Sequence, residues 1–259
     1  MTDQSVLSQI ARELYQASKS GKPIEQISSR FPALTIDDAY KIQKINIDRL
    51  VSEGIIITGK KIGLTSLAMQ QSLGVNQPDF GFLYHTMEVK GNSISRNAIM
   101  QPRMEGELAF ILSNSLSGDV TIDEVIQATA YVVPAMEIVG TRIRDWKLTI
   151  IDTVADNASC GMYLLGEQRI NPREVDLQKI PMTLSQNGKE INSGYGSAVL
   201  GHPAQAVAWL SHCMGQYGVC LNRGDIVLSG AFTAAVTAQP GDVFVCDYDK
   251  YGVLTAKFE

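Results

Sequence analysis

Apolar positions follow a helical spacing in the first part of this chain and a strand-like spacing later. Near the N-terminus they recur every three or four residues, as at Val6 and Ile10, which is the spacing of one helix face. A second helix is predicted to begin at Thr35, because TIDD combines an N-cap with an acid three residues later. Gly54 should end this helix. Together the two helices are expected to form an N-terminal cover over residues 1–55.

Beyond residue 55, short runs rich in β-branched and aromatic residues predict strands. The predicted strands lie in IIITGKKIGLT, RMEGELAFIL, VVPAMEIVG, DIVLSG and DVFVCDYDKYGVLTAKFE. MTLSQNGKEI should form a hairpin that turns at Asn187 and Gly188, a residue pair that favours tight turns between strands. Strands therefore dominate residues 56–259, which are predicted to form one β-rich domain.

Three further helices are predicted between the strands. They lie in SLAMQQSLG, TIDEVIQATAYV and HPAQAVAWLSHCMGQYG. A capping box from Thr121 to Glu124 and Pro203 in a first helical turn support the last two. VNQPDFGFL and TRIRDWKLTIIDTVADNASCG are expected to be loops. Because helices and strands do not alternate regularly, an α+β fold with flanking helices is predicted, not a doubly wound sheet.

Composition narrows the functional classes. The 259 residues are 45% hydrophobic and 19% charged, as expected for a globular chain with a sizeable core. The net charge of −5 argues against a nucleic-acid partner. No apolar run reaches the roughly 18 residues of a membrane span, and the N-terminus lacks the features of a signal peptide. The cysteines lack CxxC spacing, so reduced thiols and a cytoplasmic location are expected.

Two carboxylates interrupt the apolar strand RMEGELAFIL. Glu105 and Glu107 are two residues apart, so they should project from the same strand face. Carboxylates held this close repel each other unless a positive charge lies between them. A divalent cation such as Mg²⁺ or Mn²⁺, which prefers oxygen ligands, would satisfy both. The simpler alternative is an exposed strand face with two solvated acids.

A third acid favours the metal site over the exposed face. Glu137 also lies inside an apolar strand, VVPAMEIVG. The histidines His85, His202 and His212 lie far apart without HxxxH spacing, and His212 is expected to have a structural role. No GxSxG, Walker or GxGxxG pattern occurs, which removes the common hydrolase, nucleotide and dinucleotide sites.

With these residues in view, the chain resembles a known family. It is similar to the 2-keto-4-pentenoate hydratase and 4-oxalocrotonate decarboxylase family, within the fumarylacetoacetate hydrolase superfamily. The likeness covers nearly the whole chain and is densest in GKKIGLTSLAMQQSLGVNQPDFGFL, QPRMEGELAFIL, PAMEIVGTRIRDW and DTVADNASCG. It implies a rolled mixed β-sheet in the catalytic domain, a divalent metal, and a small 2-keto or 2-hydroxydienoic acid substrate. It also implies a homo-oligomer, with a complex between hydratase and decarboxylase relatives as an open alternative.

The resemblance assigns roles to individual residues. The implied metal ligands are Glu105, Glu107 and Glu137, and the implied catalytic residues are Lys61, Asp79 and Ser159. Lys61 is expected to transfer a proton or orient a carboxylate, with its pKa lowered by burial near a metal. Asp79 is expected to position water, and Ser159 to hydrogen-bond the substrate carboxylate or Lys61. Taken without the resemblance, an exposed lysine, a turn aspartate and a loop-capping serine stay open.

Several nearby residues are expected to serve the structure and not the chemistry. Lys60 points to the opposite strand face from its neighbour and is predicted to be exposed. Arg142 and Arg144 are expected to pair with surface acids, and Asp156 and Asn157 to brace a loop.

Within the family, the motifs favour a hydratase. QPDFG, RDW and DTVADNASCG resemble enzymes that convert 2-hydroxypenta-2,4-dienoate into 4-hydroxy-2-oxopentanoate in the meta-cleavage degradation of aromatic compounds. GAFTAAV is closer to the decarboxylases and leaves the end of the pocket near Phe232 and Thr233 open. The alternative is therefore a 4-oxalocrotonate (2-oxo-3-hexenedioate) decarboxylase. An acylpyruvate hydrolase that uses His85, and a non-catalytic partner subunit, are less favoured.

Overall fold

The computed structural model describes residues 2–66, 70–71, 74–95 and 97–259. The helix predicted in SLAMQQSLG falls mostly outside these residues. The described chain combines helices with two β-sheets, as the predicted α+β class requires. Within these ranges, no helix has both the length and the apolar character needed to cross a membrane.

The N-terminal part is helical, as predicted. Its helices are α1 (Gln4–Ser20), α2 (Ile27–Arg30) and α3 (Ile36–Ser52). Thr35 and Asp38 form the predicted capping box at the start of α3, each side chain accepting from the other's backbone N–H. Gln43 in α3 donates to the backbone carbonyls of Phe80 and Val154. These bonds attach α3 to the remainder of the fold, and the domain boundary at residue 55 stays a prediction.

The strands form a larger and a smaller sheet. In chain order they are β1 (Ile57–Gly63), β2 (Asp79–Tyr84), β3 (Ser93–Ile94), β4 (Arg103–Leu112), β5 (Thr129–Val139), β6 (Met162–Leu165), β7 (Pro181–Gln186), β8 (Lys189–Tyr195), β9 (Ile226–Leu228), β10 (Val236–Thr237), β11 (Val243–Asp247) and β12 (Val253–Phe258). The larger sheet has the order β2-β1-β9-β4-β5-β6, and β10 also pairs with β4. The smaller sheet has the order β3-β12-β11-β7-β8. The long strands β4 and β5 therefore lie inside the larger sheet.

Both sheets are mixed, as the family resemblance implies. Most neighbours are antiparallel, but β1 is parallel to β9 and β3 is parallel to β12. The β7–β8 hairpin turns at Asn187 and Gly188, whose φ angles are 54° and 77°. Positive φ at both central residues is the requirement of the tight turn predicted for this pair.

The smaller sheet packs against the face of β4 that Glu105 and Glu107 do not use. Gly106 lies between these two acids, so it belongs to the opposite strand face. A Cβ atom at Gly106 would lie 2.8 Å from Met182 and 3.0 Å from Cys246. Side chains of β7 and β11 therefore pack directly onto β4 at Gly106, and a larger residue there would have to displace them.

Three more helices flank the sheets: α4 (Ile122–Ala128), α5 (Ile150–Ala155) and α6 (Pro203–Gly215). The capping box at Thr121 and the Pro203 start of α6 agree with the prediction. The helix predicted through TIDEVIQATAYV ends earlier, at Ala128. The reason is that Thr129 begins β5, whose pairing with β4 satisfies backbone groups that a longer helix would have used.

The two predicted loops were partly wrong. DFGFL is part of β2, because pairing with β1 gives this segment a ladder of backbone hydrogen bonds despite its Gly and the preceding Pro. IIDTVA forms α5, where the Asp152 carboxylate accepts from the backbone N–H and the hydroxyl of the N-cap residue Thr149. This acid three residues after a threonine is a capping signal that can be seen in the sequence.

Candidate active site

The acids of β4 and β5 converge at the centre of the larger sheet. Glu105 and Glu107 project from one face of β4, and Glu137 is the direct cross-strand partner of Glu105. One carboxylate oxygen of each acid lies within 4.8 Å of the other two. Glu107 and Glu137 are buried, and Glu105 is half-buried. The exposed strand face considered from the sequence is therefore excluded.

Burial and mutual repulsion make this group of acids electrostatically unfavourable when it is alone. Burial first, and then the charge of Glu137, raise the pKa of Glu105 to about 7. The same two causes raise the pKa of Glu107 well above its usual range. Burial also raises the pKa of Glu137, although Lys61 opposes the change. Ionised carboxylates in this arrangement require a nearby positive charge.

The oxygen atoms of the group fit a divalent cation. Gly230 donates its backbone N–H to Glu107 Oε2 at 2.9 Å. Glu107 Oε1 and Glu137 Oε2 have no hydrogen-bond partner among the described residues. Buried polar atoms without partners are costly, and hard cations such as Mg²⁺ take carboxylate oxygens as ligands. Glu105, Glu107 and Glu137 could therefore hold such an ion.

Lys61 lies beside the acids, with Nζ at 3.4 Å from Glu137 Oε1. Burial alone would lower the pKa of this lysine, but the charges of Glu137 and Asp79 outweigh it and raise the pKa. The lowering expected beside a bound metal therefore stays a prediction. Without a cation, Lys61 is the positive charge next to the acids, and its ammonium stays protonated.

The prediction that Lys60 is exposed was also wrong. Lys60 is 3% exposed and forms an ion pair with Asp225. It does lie on the opposite face of β1 from Lys61, as predicted from strand geometry. Asp225 directly precedes β9, which is parallel to β1, so the sheet brings a carboxylate to this face and the buried ammonium is compensated.

Asp79 and Ser159 are linked through the hydroxyl of Thr153. Thr153 Oγ1 donates to Asp79 Oδ2 at 3.2 Å and lies 3.3 Å from Ser159 Oγ. Burial raises the pKa of Asp79, although Lys61 opposes the change. A Cβ atom at Gly63 would lie 2.3 Å from Asp79 Oδ1, so glycine is required there to leave room for this carboxylate. Thr153 was missed in the sequence, where no motif distinguishes it.

Ser159 is presented by an unusual turn. Asn157, Ala158 and Ser159 have φ angles of 55°, 52° and 54°, a left-handed conformation that costs non-glycine residues about 1–2 kcal/mol each. The Asn157 side chain holds the turn by donating to the Phe82 carbonyl at 3.0 Å and accepting from the Phe82 N–H at 2.8 Å. Asn157 therefore braces the segment, as expected. The turn ends with the Ser159 hydroxyl beside Thr153.

Arg142 differs from its predicted surface role. It pairs with Asp156, which is 2% exposed, and donates to the Cys160 carbonyl at 3.0 Å. Asp156 lies just before the left-handed turn and ties it to the segment after β5, in agreement with the expected bracing role. Arg144 pairs with the exposed Glu25, in agreement with its prediction.

A cavity of about 500 Å³ connects the candidate residues. Its lining includes Lys61, Asp79, Glu105 and Ser159, together with Arg103, Trp146, Thr153, Phe232 and Thr233. Glu107 and Glu137, the buried members of the acid group, are not among the described lining residues. No histidine is among the described lining residues; His85 is exposed and its Nδ1 accepts from the Ile56 N–H. Arg103 was missed in the sequence, although it lies two residues before Glu105 and shares its strand face.

Comparison with known proteins gives the class of this fold and site. The profile described as fumarylacetoacetate (FAA) hydrolase C-terminal matches residues 69–259, so the chain belongs to this family, as the sequence resemblance implies. Among curated relatives, a 2-keto-4-pentenoate hydratase of Paraburkholderia xenovorans (strain LB400) is 46% identical over 96% of this chain and 93% of its own length. A 2-hydroxyhexa-2,4-dienoate hydratase of Comamonas testosteroni is 42% identical over 100% of this chain and 99% of its own.

A solved structure confirms the predicted fold. It is the 4-oxalocrotonate decarboxylase from Pseudomonas putida G7, complexed with magnesium and adipate. Its TM-score is 0.95 at 32% sequence identity, and the match covers 100% of this chain and 99% of the decarboxylase chain. The α+β class, with a mixed sheet and N-terminal helices, is therefore confirmed over the whole length.

Proposed function

We propose that this chain is a metal-dependent hydro-lyase that adds water to 2-hydroxypenta-2,4-dienoate (2-keto-4-pentenoate) and gives 4-hydroxy-2-oxopentanoate. The observation that carries the proposal is the 46% and 42% identity to hydratases over nearly the whole chain. The cavity agrees with this reaction, because Glu105, Lys61, Asp79 and the hydroxyls of Thr153 and Ser159 meet there. Such a reaction belongs to the degradation of aromatic compounds.

Glu105, Glu107 and Glu137 would hold the divalent cation, with Mg²⁺ or Mn²⁺ proposed as the physiological ion. When bound, such a cation polarises the oxygens of a keto acid as a Lewis acid. The three carboxylates project from the paired strands β4 and β5, whose backbone pairing would fix the position of their oxygens around such an ion. The partnerless oxygens of Glu107 and Glu137 support this assignment.

Lys61 would orient the substrate carboxylate. Its Nζ lies 3.4 Å from Glu137 Oε1 and its side chain lines the cavity, so the ammonium can donate hydrogen bonds to an anion bound there. In the first step a proton leaves the C2 hydroxyl and a proton is added at C5, which gives the conjugated ketone. An ammonium beside the C1 carboxylate holds the substrate in one orientation during this transfer.

Asp79, Thr153 and Ser159 would handle the water. Asp79 Oδ1 has no hydrogen-bond partner among the described residues, so it is free to accept a proton from water. In the second step the hydroxyl group adds at C4 and a proton is added at C3. Because Thr153 bonds to Asp79 Oδ2, the unpaired oxygen of this carboxylate stays available to the water.

A 4-oxalocrotonate decarboxylase is the second candidate. Its support is the TM-score of 0.95 to the solved decarboxylase, together with the GAFTAAV segment, whose Phe232 and Thr233 line the cavity. In that reaction a C–C bond breaks, CO₂ leaves, and a proton replaces it on carbon. The higher identities to hydratases favour water addition.

We also propose a cytoplasmic homo-oligomer with a helical cover over residues 1–55. The four cysteines are free thiols, which suits a reducing compartment. Light scattering of the purified chain would count the subunits. A mixed sample with a purified decarboxylase relative would test whether the two assemble.

The test of function is a paired assay with Mg²⁺ or Mn²⁺, before and after EDTA. One arm follows the ultraviolet absorbance of fresh 2-hydroxypenta-2,4-dienoate, and the other follows CO₂ release from 4-oxalocrotonate. Metal-dependent loss of the dienoate without CO₂ release is expected. Release of CO₂ with little hydration would reverse the ranking of the two candidates.

A further inference from the structure

Gln43 is a buried amide that joins the N-terminal helices to the two segments that carry Asp79 and Thr153. It lies in α3 and is 3% exposed. Its Nε2 donates to the Phe80 carbonyl at 2.9 Å and to the Val154 carbonyl at 3.1 Å. The amide nitrogen carries two N–H groups, so both are used. One side chain of α3 therefore binds a carbonyl of β2 and a carbonyl of α5 at the same time.

The two carbonyls belong to the residues that directly follow Asp79 and Thr153. These two residues share the hydrogen bond from Thr153 Oγ1 to Asp79 Oδ2, at 3.2 Å. Gln43 thus bridges the same two segments as this bond, but it is not among the described residues that line the cavity. Any effect of Gln43 on the reaction must therefore pass through the positions of Asp79 and Thr153.

The residue on the other side of Thr153 is also bound by the N-terminal helices. Asp152 is fully buried, and its Oδ1 accepts from the backbone N–H groups of Ile27 and Ser28 at 2.8 and 3.0 Å. The Ser28 hydroxyl donates to Asp152 Oδ2 at 2.7 Å. Helix α5 is therefore attached to α2 immediately before Thr153 and to α3 immediately after it. These contacts restrain the backbone of α5 where it faces Asp79.

We propose that Gln43 is a positioning residue for water addition, which holds the Asp79 and Thr153 segments at hydrogen-bond distance from each other. The inference rests on the proposed function, in which the unpaired Asp79 Oδ1 accepts a proton from water. While Thr153 donates to Oδ2, the Asp79 carboxylate keeps one orientation and Oδ1 stays available. Loss of the Gln43 amide removes the donor that the two segments share, so the carboxylate should then occupy more than one orientation.

The test is a double-mutant cycle that combines Gln43→Met with Thr153→Val in the hydration of 2-hydroxypenta-2,4-dienoate with Mg²⁺. Methionine keeps the length of glutamine without its N–H groups, and valine keeps the shape of threonine without its hydroxyl. We expect Gln43→Met to lower kcat about 10-fold with little change in KM. In the Thr153→Val background the same substitution should lower kcat less than about 2-fold, because the bond that it supports is already absent.

Gln168→Met is the matched control for the loss of a side-chain amide. Gln168 is exposed and donates to the Lys250 carbonyl at 2.7 Å, and neither residue is among the described cavity-lining residues. Its substitution should leave kcat unchanged.

Two kinetic results would overturn the positioning role. One is an equal loss of kcat in the two backgrounds, since a glutamine that only stabilises the fold acts independently of Thr153. The other is an unchanged kcat in Gln43→Met. Circular dichroism melts set the assay temperature below the unfolding of every variant. If methionine prevents folding, Gln43→Asn takes its place, because its amide is one methylene shorter and cannot bind both carbonyls as Gln43 does.

Crystal structures of the original chain and of Gln43→Met give a readout that does not depend on activity. The separation of Thr153 Oγ1 and Asp79 Oδ2 should exceed hydrogen-bond distance in the variant only. An unchanged separation would overturn the inference even if kcat fell. Absence of hydration by the original chain would instead contradict the proposed function, and the two structures would still decide whether Gln43 positions this pair.

Discussion

Lys60 and Lys61 are adjacent, identical and buried, yet they meet different acids. Lys60 pairs with Asp225 on one side of the sheet, and Lys61 approaches Glu137 on the other. Because successive residues of a strand face opposite sides, one strand supplies two separate buried ammonium groups. The position of each lysine relative to the sheet, and not its residue type, separates a structural ion pair from a cavity residue.

Replacing Glu107 by Gln should abolish metal-dependent activity with little change in fold. The amide keeps the shape and the acceptor for the Gly230 N–H, but it removes one anionic ligand from the group. Activity should fall at least about 100-fold, more than is usual for residues that only support a ligand. Thermal stability without metal should be unchanged or slightly higher, because the amide cannot ionise beside the neighbouring carboxylates. Steady-state assays measure the activity, calorimetric titration with Mn²⁺ measures the metal affinity, and thermal melts measure the stability.

Glu190→Gln is the control for this experiment, since Glu190 is exposed on β8. It should leave activity and metal affinity unchanged. Full activity of Glu107→Gln after chelation and metal re-addition would show that the three-acid site is wrong.

The contacts at the two ends of helix α5 position the Thr153 and Ser159 hydroxyls in the candidate active site. The left-handed turn over residues 157–159 follows α5 directly, and Asn157 ties it to β2. The same α5 carries Thr153 at its centre and the Asp152 cap at its start. One short helix thus connects a capping box, the bridge between Asp79 and Ser159, and a strained turn. Its stability comes from these end contacts, because six residues alone would not form a stable helix.

The capping box of α3 gives a prediction about stability and pH. A hydrogen bond from Thr2 and further bonds from Thr35 and Lys41 lower the pKa of Asp38 to about 2, below its usual 3.8. Its contribution to stability is therefore complete above about pH 4 and is lost as the pH falls toward 2. Asp38→Ala should lower the free energy of unfolding by about 1 kcal/mol at pH 7.

Urea unfolding at several pH values measures this contribution. The difference between the variant and the original chain should shrink as the pH approaches 2. Asp123→Ala, at an exposed position in the first turn of α4, should show a smaller effect without this pH dependence. A constant difference down to low pH would mean that the Asp38 carboxylate is not the stabilising form.

The larger sheet brings together residues that are far apart along the chain. Lys61 in β1 and Glu137 in β5 are neighbours, although β9 and β4 lie between these strands in the sheet order. The sheet must therefore curve so that side chains from its separate strands meet in one cavity. This curvature places buried carboxylates close together. The free energy of unfolding of the whole chain should therefore depend on pH and on cation binding.

Metal binding should stabilise the folded chain in a pH-dependent way. Because the Glu105 pKa is raised to about 7, the metal-free fold is penalised increasingly as the pH rises from about 4.5 through 7. A bound cation removes this penalty but competes with protons. The rise in Tm on adding Mg²⁺ or Mn²⁺ should therefore be larger at pH 8 than at pH 6. A stabilisation of about 2.7 kcal/mol is expected at a metal concentration of 100 times Kd.

Circular dichroism melts with metal and with EDTA at both pH values provide the measurement. Glu107→Gln should show a much smaller rise in Tm. An equal rise at pH 6 and pH 8 would indicate that these carboxyls do not titrate in the metal-free fold.

Local sequence patterns were enough for many elements of this fold. The caps at Thr35 and Thr121, the turn at Asn187 and the start of α6 at Pro203 depend on residues a few positions apart, so they can be read from short segments. Strand alternation likewise places Glu105 and Glu107 on one face. These features follow from backbone geometry, which is the same in any protein.

Long-range packing accounts for what those patterns missed. The burial of Lys60, the raised pKa of Lys61 and the bridge by Thr153 depend on strands and helices that are distant in the sequence. Arg142 pairs with a buried acid because the fold closes over Asp156. Such contacts arise when the sheet curves and both of its faces are covered. The hydrophobic pattern of one segment does not identify which distant residue will contact it. The acids of β4 share a face because of the strand itself, but the assembly of a cavity around them requires the folded sheet.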